Sequence, residues 1–325
     1  MKVCVAGLGA VGGLVASRLA LAGHDVSALA RGATLTAVRE RGLVLTSAQG
    51  ERRVARIAAA DQASSLPTPD LLVVAFKGQA LATDAQRLAP LIGPQTLVLP
   101  MMNGVPWWFL QPADSRPLAS VDPNGHIAAT MPFGRTLGAV VHLTCVSTSP
   151  GEVRHGFGER LIVGDPGGGP SERVERIAGV LASAGFQAER SSDIRRDIWF
   201  KLWGNMTMNP VSALTGATCD AILDDDLVNA FMARGMDEAA AIGARIGCPV
   251  GQSPAARMAV TRQLGAFKTS MLVDAELGRA LELDALIGAV REIGGRVGVA
   301  TPNIDALHGL ARLMDRMKCI RRATD

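Results

Sequence analysis

With 325 residues, 48 % of them hydrophobic and 19 % charged, the chain is long enough for two cores and too apolar for extended disorder. A formal net charge of +3 is slight and excludes the dense basic field of a nucleic-acid-binding protein. The five cysteines and five histidines are scattered, with no C-x-x-C and no H-E-x-x-H, so neither a disulfide framework nor a metal site is expected.

The chain opens with a β-branched run, Lys2 to Ala6, followed by Gly7-Leu8-Gly9-Ala10-Val11-Gly12 and a helical pattern of Leu14, Val15, Leu19 and Leu21. Lys2 and the small apolar residues after it imitate a secretory leader, but Arg18 interrupts the run. No other stretch approaches the length of uncharged apolar residues that crosses a membrane, and a cytoplasmic protein is expected. With a second strand at Val26 to Ala30, the glycines form a dinucleotide-binding unit. Gly7 permits the turn, Gly9 lets the backbone approach the pyrophosphate, and Gly12 lets helix and strand pack closely.

The end of the second strand selects the cofactor. An acidic residue there bonds the ribose 2′-hydroxyl of NAD, whereas this chain offers Arg31, whose forked donors match the 2′-phosphate of NADP. Strands at Leu43 to Thr46, Val54 to Ala58, Leu71 to Phe76 and Thr96 to Leu99, with a helix from Gln79, continue a doubly wound parallel sheet. At strand ends stand Lys77 and Asn103, each readable as a turn residue or as a ligand group. Ala139 to Val146 and Glu152 to Gly156 read as antiparallel strands, Gly164 to Pro170 as a loop, and Gln187 to Arg190 as the last strand of a first domain, 1–191. His126, His142 and His155 read as structural.

From Ser192 the pattern is helical throughout, giving a second domain, 192–325. Its first helix, Asp197 to Asn209, aligns Asp197, Lys201, Asn205 and Asn209 on one polar ridge flanked by Trp199, Phe200, Leu202, Trp203, Met206 and Met208. A cation and two amides beside so much apolar surface suit an anionic or carbonyl-bearing ligand; the alternative is a snorkelling lysine with asparagines bonded to neighbouring helices. Pro210 is expected to kink or end this helix. Further helices are expected at Asp225 to Ile246, Pro254 to Ala266, Ser270 to Leu277, Leu283 to Val297 and Asn303 to Lys318. The last closes with Arg316, Lys318, Arg321 and Arg322, which complement its dipole. Ser270 and Glu282 would stand about 18 Å apart on one unbroken helix, so a turn at Gly278 is needed to bring them together.

Taken jointly, Gly7 to Gly12, Arg31, Phe76-Lys77, Asn103-Gly104, Lys201-Leu202 with Asn205 and Asn209-Pro210, and Ser270-Met271-Leu272 with Glu282 and Asp284 resemble the ketopantoate reductase family, the NADP-dependent 2-dehydropantoate 2-reductases. The resemblance implies an α/β fold: an N-terminal Rossmann-type doubly wound sheet, then an all-helical C-terminal domain of the 6-phosphogluconate dehydrogenase C-terminal type. By it, Gly7, Leu8, Gly9, Ala10, Val11, Gly12, Arg31 and Lys77 hold NADP, and Asn103 and Glu282 reach both the cofactor and the reacting end. Lys201 is the catalytic lysine, and Asn205, Asn209 and Ser270 hold a small 2-oxo acid. Three positions depart from the family pattern: Cys219 for an amide, Phe267 for a polar residue, and Leu281 for a threonine that could cap a helix. They favour a less hydroxylated substrate than 2-dehydropantoate, and so keep open a paralogue acting on another branched or aromatic 2-oxo acid. A nicotinamide-binding sensor without turnover is the reading from a different class, and Lys201 with Glu282 argues against it. A largely helical second domain can also offer an apolar face for a homodimer.

Overall fold

A computed structural model describes residues 1–324, with side chains described as far as residue 317; Lys318, Cys319, Arg321 and Arg322 thus lie outside the described side chains. The chain divides into two compact units. The first comprises Met1–Met102, Pro106–Pro117 and Asp122–Asp197, and the second Asn103–Val105, Leu118–Val121 and the residues from Ile198 onward.

In the first unit the strands are β1 (Lys2–Ala6), β2 (Asp25–Leu29), β3 (Leu43–Thr46), β4 (Arg52–Ala55), β5 (Ala58–Ala60), β6 (Leu71–Val74), β7 (Leu97–Pro100), β8 (Gly138–His142), β9 (Cys145–Ser149), β10 (Glu152–His155), β11 (Arg160–Gly164) and β12 (Gln187–Ser191). Its helices are α1 (Ala10–Leu21), α2 (Gly32–Arg41), α3 (Gly78–Asp84), α4 (His126–Thr130) and α5 (Glu172–Ser183). Five strands form a parallel sheet in the order β5-β2-β1-β6-β7. The chain runs outward from β1 on one side and returns to pair β6 on the other, so the order reverses beside β1. Ligands of open α/β sheets sit beyond the carboxyl ends at such a reversal. All four residues of β6 and the last four of β1 are buried, as strands covered on both faces must be.

Two expectations about this sheet are corrected. Leu43 to Thr46 and the stretch from Val54 do not continue it; β3 and β4 pair antiparallel and join β10 and β9 in a second sheet, ordered β4-β3-β10-β9. Gly50, at φ +89°, closes the tight turn between them, and so short a connection cannot make a parallel crossover. The run Ala139 to Val146 is two strands: β8 pairs with β11 and β12 in a third sheet, while β9 turns back on β10. The strand β11, ending in the expected loop at Gly164, has no alternation that marks it, because four of its five residues are buried.

The second unit is helical: α6 (Ile194–Thr215, in this unit from Ile198), α7 (Cys219–Asp224), α8 (Asp226–Arg245), α9 (Pro254–Arg262), α10 (Ser270–Glu276), α11 (Ala289–Val297) and α12 (Pro302–Thr324). Asp284–Gly288 forms a π-helical stretch ahead of α11, a form that short apolar periodicity does not announce. Pro210 does not end α6 but sits inside it. Met206, Met208, Val211 and Ala213 are buried on either side of the proline, and that packing carries the helix across the missing N–H. Trp199 and Trp203 are each 1 % exposed, and the Trp203 indole N–H donates to the Met236 carbonyl of α8 at 2.7 Å. Among the described residues no helix is long and apolar enough to cross a membrane.

Gly243 of α8 is where that helix meets Trp199: a Cβ there would collide with the indole and lie 2.6 Å from the Cys248 carbonyl oxygen. Gly243→Ala is therefore expected to destabilise the protein by about 1–3 kcal/mol through overpacking, read as a lower urea midpoint at unchanged slope.

Candidate active site

In the first unit the candidate nucleotide-binding features are built by backbone. Gly7 has φ +96°, open to glycine without strain. A Cβ on Gly12 would collide with the Gly7 carbonyl oxygen, so α1 can begin this close to β1 only without a side chain. Gly9, at the N-cap of α1, has nothing within 4 Å of where its Cβ would be, and no side chain caps the helix. Intrahelical bonding starts with Gly13 N–H donating to Gly9 O at 2.8 Å. The N–H groups of Ala10, Val11 and Gly12 therefore face an open helix start, which suits a pyrophosphate. The residues present fit a dinucleotide.

Arg31 stands at the start of α2 just past β2 without capping it, with its side chain 75 % exposed and 3.6 Å from Asp84. This loose surface pair is easily exchanged for a phosphate. Lys77, partly exposed, takes the equivalent place between β6 and α3.

The second unit holds its own group of candidate residues. Between Ile198 and Val211 of α6 the accessible positions are Phe200, Lys201, Gly204 and Asn205, one contiguous face of the helix; every other residue there is buried. The polar ridge is thus shorter than expected, since Asn209 is 6 % exposed and lies in the interior. Asn209 is still tied to Ser270. The Ser212 hydroxyl donates to the Asn209 carbonyl at 2.8 Å and meets Thr269 Oγ1 at 2.5 Å, and Thr269 caps α10, whose first residue is the exposed Ser270.

Lys201 is the centre of this group. Burial pulls its ammonium from the usual 10.5 down to about 8, and the nearby Glu282 carboxylate opposes that shift. Nζ donates to Asn103 Oδ1 at 2.9 Å. Asn103 is brought there by its neighbour Gly104, at φ +88°, where a Cβ would lie 2.5 Å from the Ala285 carbonyl oxygen, and by Val105 N–H, which donates to the same oxygen at 2.9 Å. The segment is stitched to the π-helical turn, and Glu282 directly precedes the helix start at Leu283. Gly278 does make the turn that separates α10 from this helix, at φ +62°, with Arg279 beside Asp274 at 3.7 Å. Leu281, 2 % exposed, is a core residue rather than a cap, and Cys219, 1 % exposed, donates its backbone N–H to the Phe267 carbonyl at 3.0 Å.

Two features escape a sequence reading. The Ala285 carbonyl as anchor for Asn103 is invisible without coordinates, although Gly104 after an asparagine was a signal of close backbone approach. The other is Arg257 of α9, whose guanidinium lies over the accessible face of α6. Because the Glu282 charge raises the Lys201 pKa, Glu282→Gln is expected to move the lysine's titration below about 8, as read by NMR of ε-labelled lysine. An unmoved titration would separate the two groups. Gly104→Ala, which forces the Asn103 loop off Ala285, is expected to move it too.

The two halves correspond to two family models. Residues 3–168 match the model described as Ketopantoate reductase PanE/ApbA, and residues 193–315 match Ketopantoate reductase PanE/ApbA C terminal. The 2-dehydropantoate 2-reductase of Mesorhizobium japonicum is 42 % identical over 319 residues, covering 96 % of this chain and 97 % of that protein. A crystal structure from Ralstonia solanacearum MolK2, provisionally described as a ketopantoate reductase, is 56 % identical with TM-score 0.93 over 97 % of this chain and 98 % of that one. D-mandelate dehydrogenase, in its ternary structure with NADH and anilino(oxo)acetate, shares the fold at TM-score 0.85 and 22 % identity, over 98 % of this chain and 99 % of that one. Matched in both halves by the family models and nearly end to end by a 42 % identical relative, the chain belongs to the ketopantoate reductase family of oxidoreductases.

Proposed function

We propose that the protein reduces 2-dehydropantoate to (R)-pantoate with NADPH, in the cytoplasm, as a step toward pantothenate and coenzyme A. The observation that carries this reading is Lys201, a buried ammonium aimed by Asn103 and charge-balanced by Glu282. A bound nicotinamide supplies the hydride to the ketone carbon. As that carbon becomes tetrahedral, negative charge develops on its oxygen; the Lys201 ammonium stabilises the charge and delivers the proton. Asn103 restricts where Nζ points, and Glu282 keeps the amine protonated at neutral pH. Asn205 and Ser270 are the neutral donors assigned to the substrate, and the buried Asn209, expected from the sequence to join them, is assigned to holding Ser270 in place through Ser212 and Thr269. Arg31, with the uncapped start of α2, is assigned to the 2′-phosphate.

A second reading, the same chemistry on a less hydroxylated branched or aromatic 2-oxo acid, draws on Cys219 and Phe267. Their backbones are joined by one hydrogen bond, with the Phe267 ring 37 % exposed and Cys219 buried, at two positions where polar residues are usual in the family. Following absorbance at 340 nm with a panel of 2-oxo acids separates the two, since fast turnover of 2-dehydropantoate supports the first and turnover only of others the second.

Lys201→Ala is expected to lower kcat by about 10²–10⁴, and nearly full turnover in that variant would remove the lysine from the reaction. The donor must be protonated, so the reduction rate should hold level below pH about 8 and fall about tenfold per unit above it. Arg31→Ala is expected to raise KM for NADPH about 10- to 100-fold and leave KM for NADH nearly unmoved, which a comparison of initial rates will check.

A further inference from the structure

Among the described residues, Arg257 is a cation with no carboxylate beside it. Its guanidinium lies over the Phe200 ring, with Cζ 5.1 Å from the centroid, and against Gly204, where a Cβ would come 2.8 Å from Nε. Nε is buried and unbonded, and among the described residues the side chain has no carboxylate partner. Burial lowers its pKa, and no neighbouring charge offsets that. Arg257 as a whole is half-buried, and a guanidinium with an enclosed, unbonded Nε and no carboxylate beside it suits an anionic ligand.

Its position says which anion. Phe200 and Gly204 belong to the same accessible face of α6 as Lys201 and Asn205. Gly204 is three residues from Lys201, so the two are neighbours on the helix surface, with Cβ positions about 5–6 Å apart. A small 2-oxo acid presents its carboxylate on the carbon next to the oxo group. A guanidinium on the face that carries the proton donor can hold the one while Lys201 meets the other, and its planar fork matches a carboxylate in two bonds. Any side chain at position 204 larger than hydrogen would push the guanidinium away, which gives the glycine in the middle of a helix its reason.

We propose that Arg257 docks the substrate carboxylate, and that Gly204 is the gap in α6 that admits it; this rests on the reading of the protein as a 2-oxo acid reductase. The consequence is a site selective for free acids over neutral ketones, esters and amides. Asn205 and Ser270 then serve the remainder of the substrate.

The test compares 3-methyl-2-oxobutanoate with its primary amide, in calorimetric binding with NADP present and in turnover, for the wild type, Arg257→Met, Arg257→Lys and Gly204→Val. The wild type should prefer the acid. Arg257→Met should weaken acid binding about 10- to 100-fold, with the loss falling on KM, while amide binding stays as it was. Arg257→Lys should recover part of the preference, and Gly204→Val should mimic Arg257→Met by displacing the guanidinium. Arg257→Met should also melt no lower than the wild type, since a half-buried charge with no carboxylate beside it has been removed; a purely structural arginine would melt lower and leave the acid-to-amide ratio unmoved. An unmoved ratio in any folded variant, or a wild type indifferent to the acid, overturns the proposal. Acid binding that depends on Arg257, with no turnover of this acid or of 2-dehydropantoate, would instead overturn the reductase reading and leave Arg257 as a carboxylate-docking residue.

Discussion

Keeping the Lys201 ammonium charged while most of its hydration is removed is the constraint around which the second unit is arranged. Burial by itself favours the neutral amine, and a neutral amine can neither stabilise a developing alkoxide nor protonate it. Two groups distant in sequence answer that pressure. Glu282 supplies the opposing charge, and Asn103 supplies an acceptor at 2.9 Å. Neither is held by its own side-chain packing alone: Asn103 depends on a glycine whose backbone rests on Ala285, and Glu282 stands where the π-helical segment starts. A π-turn widens the helix by one residue and redirects the carbonyls around it, and here the Ala285 carbonyl oxygen is the one that Val105 N–H finds.

Helix α6 meets this constraint with two unlike faces. One is set in place by Trp199 and Trp203, which leave it little freedom to rotate, and by buried residues on both sides of Pro210. The other is sparse, with a lysine, a glycine, an amide and a half-exposed phenylalanine, over which an arginine from α9 is laid. Large apolar anchors on one side hold the polar groups on the other side in fixed positions. Burial lowers the pKa of both the Arg257 guanidinium and the Lys201 ammonium, so both cations on this face are held against partial loss of hydration.

The first unit obeys a different logic. Its features that suit a phosphate lie in backbone rather than side chains: a left-handed glycine, a helix start left open, and a second glycine without which α1 could not begin so near β1. That is why so little sequence carries so much of it. Arg31 is the exception, an exposed side chain on a strand end whose present partner, Asp84, is loosely held at 3.6 Å.

By itself the sequence determined the parts whose physics is local. The strand, glycine turn and helix at the N-terminus, the helical second half, the turn at Gly278, and the alignment of Lys201 with Asn205 follow from backbone freedom and residue spacing, which act within a few residues. Only the tertiary structure decided which strands share a sheet, that α6 runs through Pro210, that Asn209 faces inward, and that Leu281 is core. It also decided that Asn103 meets Lys201 and that Arg257 covers Gly204. These outcomes depend on surfaces meeting from far along the chain. A proline's local cost can be overridden by packing on both its sides, an arginine's role is set by what lies opposite it, and a lysine's pKa is set by which neighbours exclude its water.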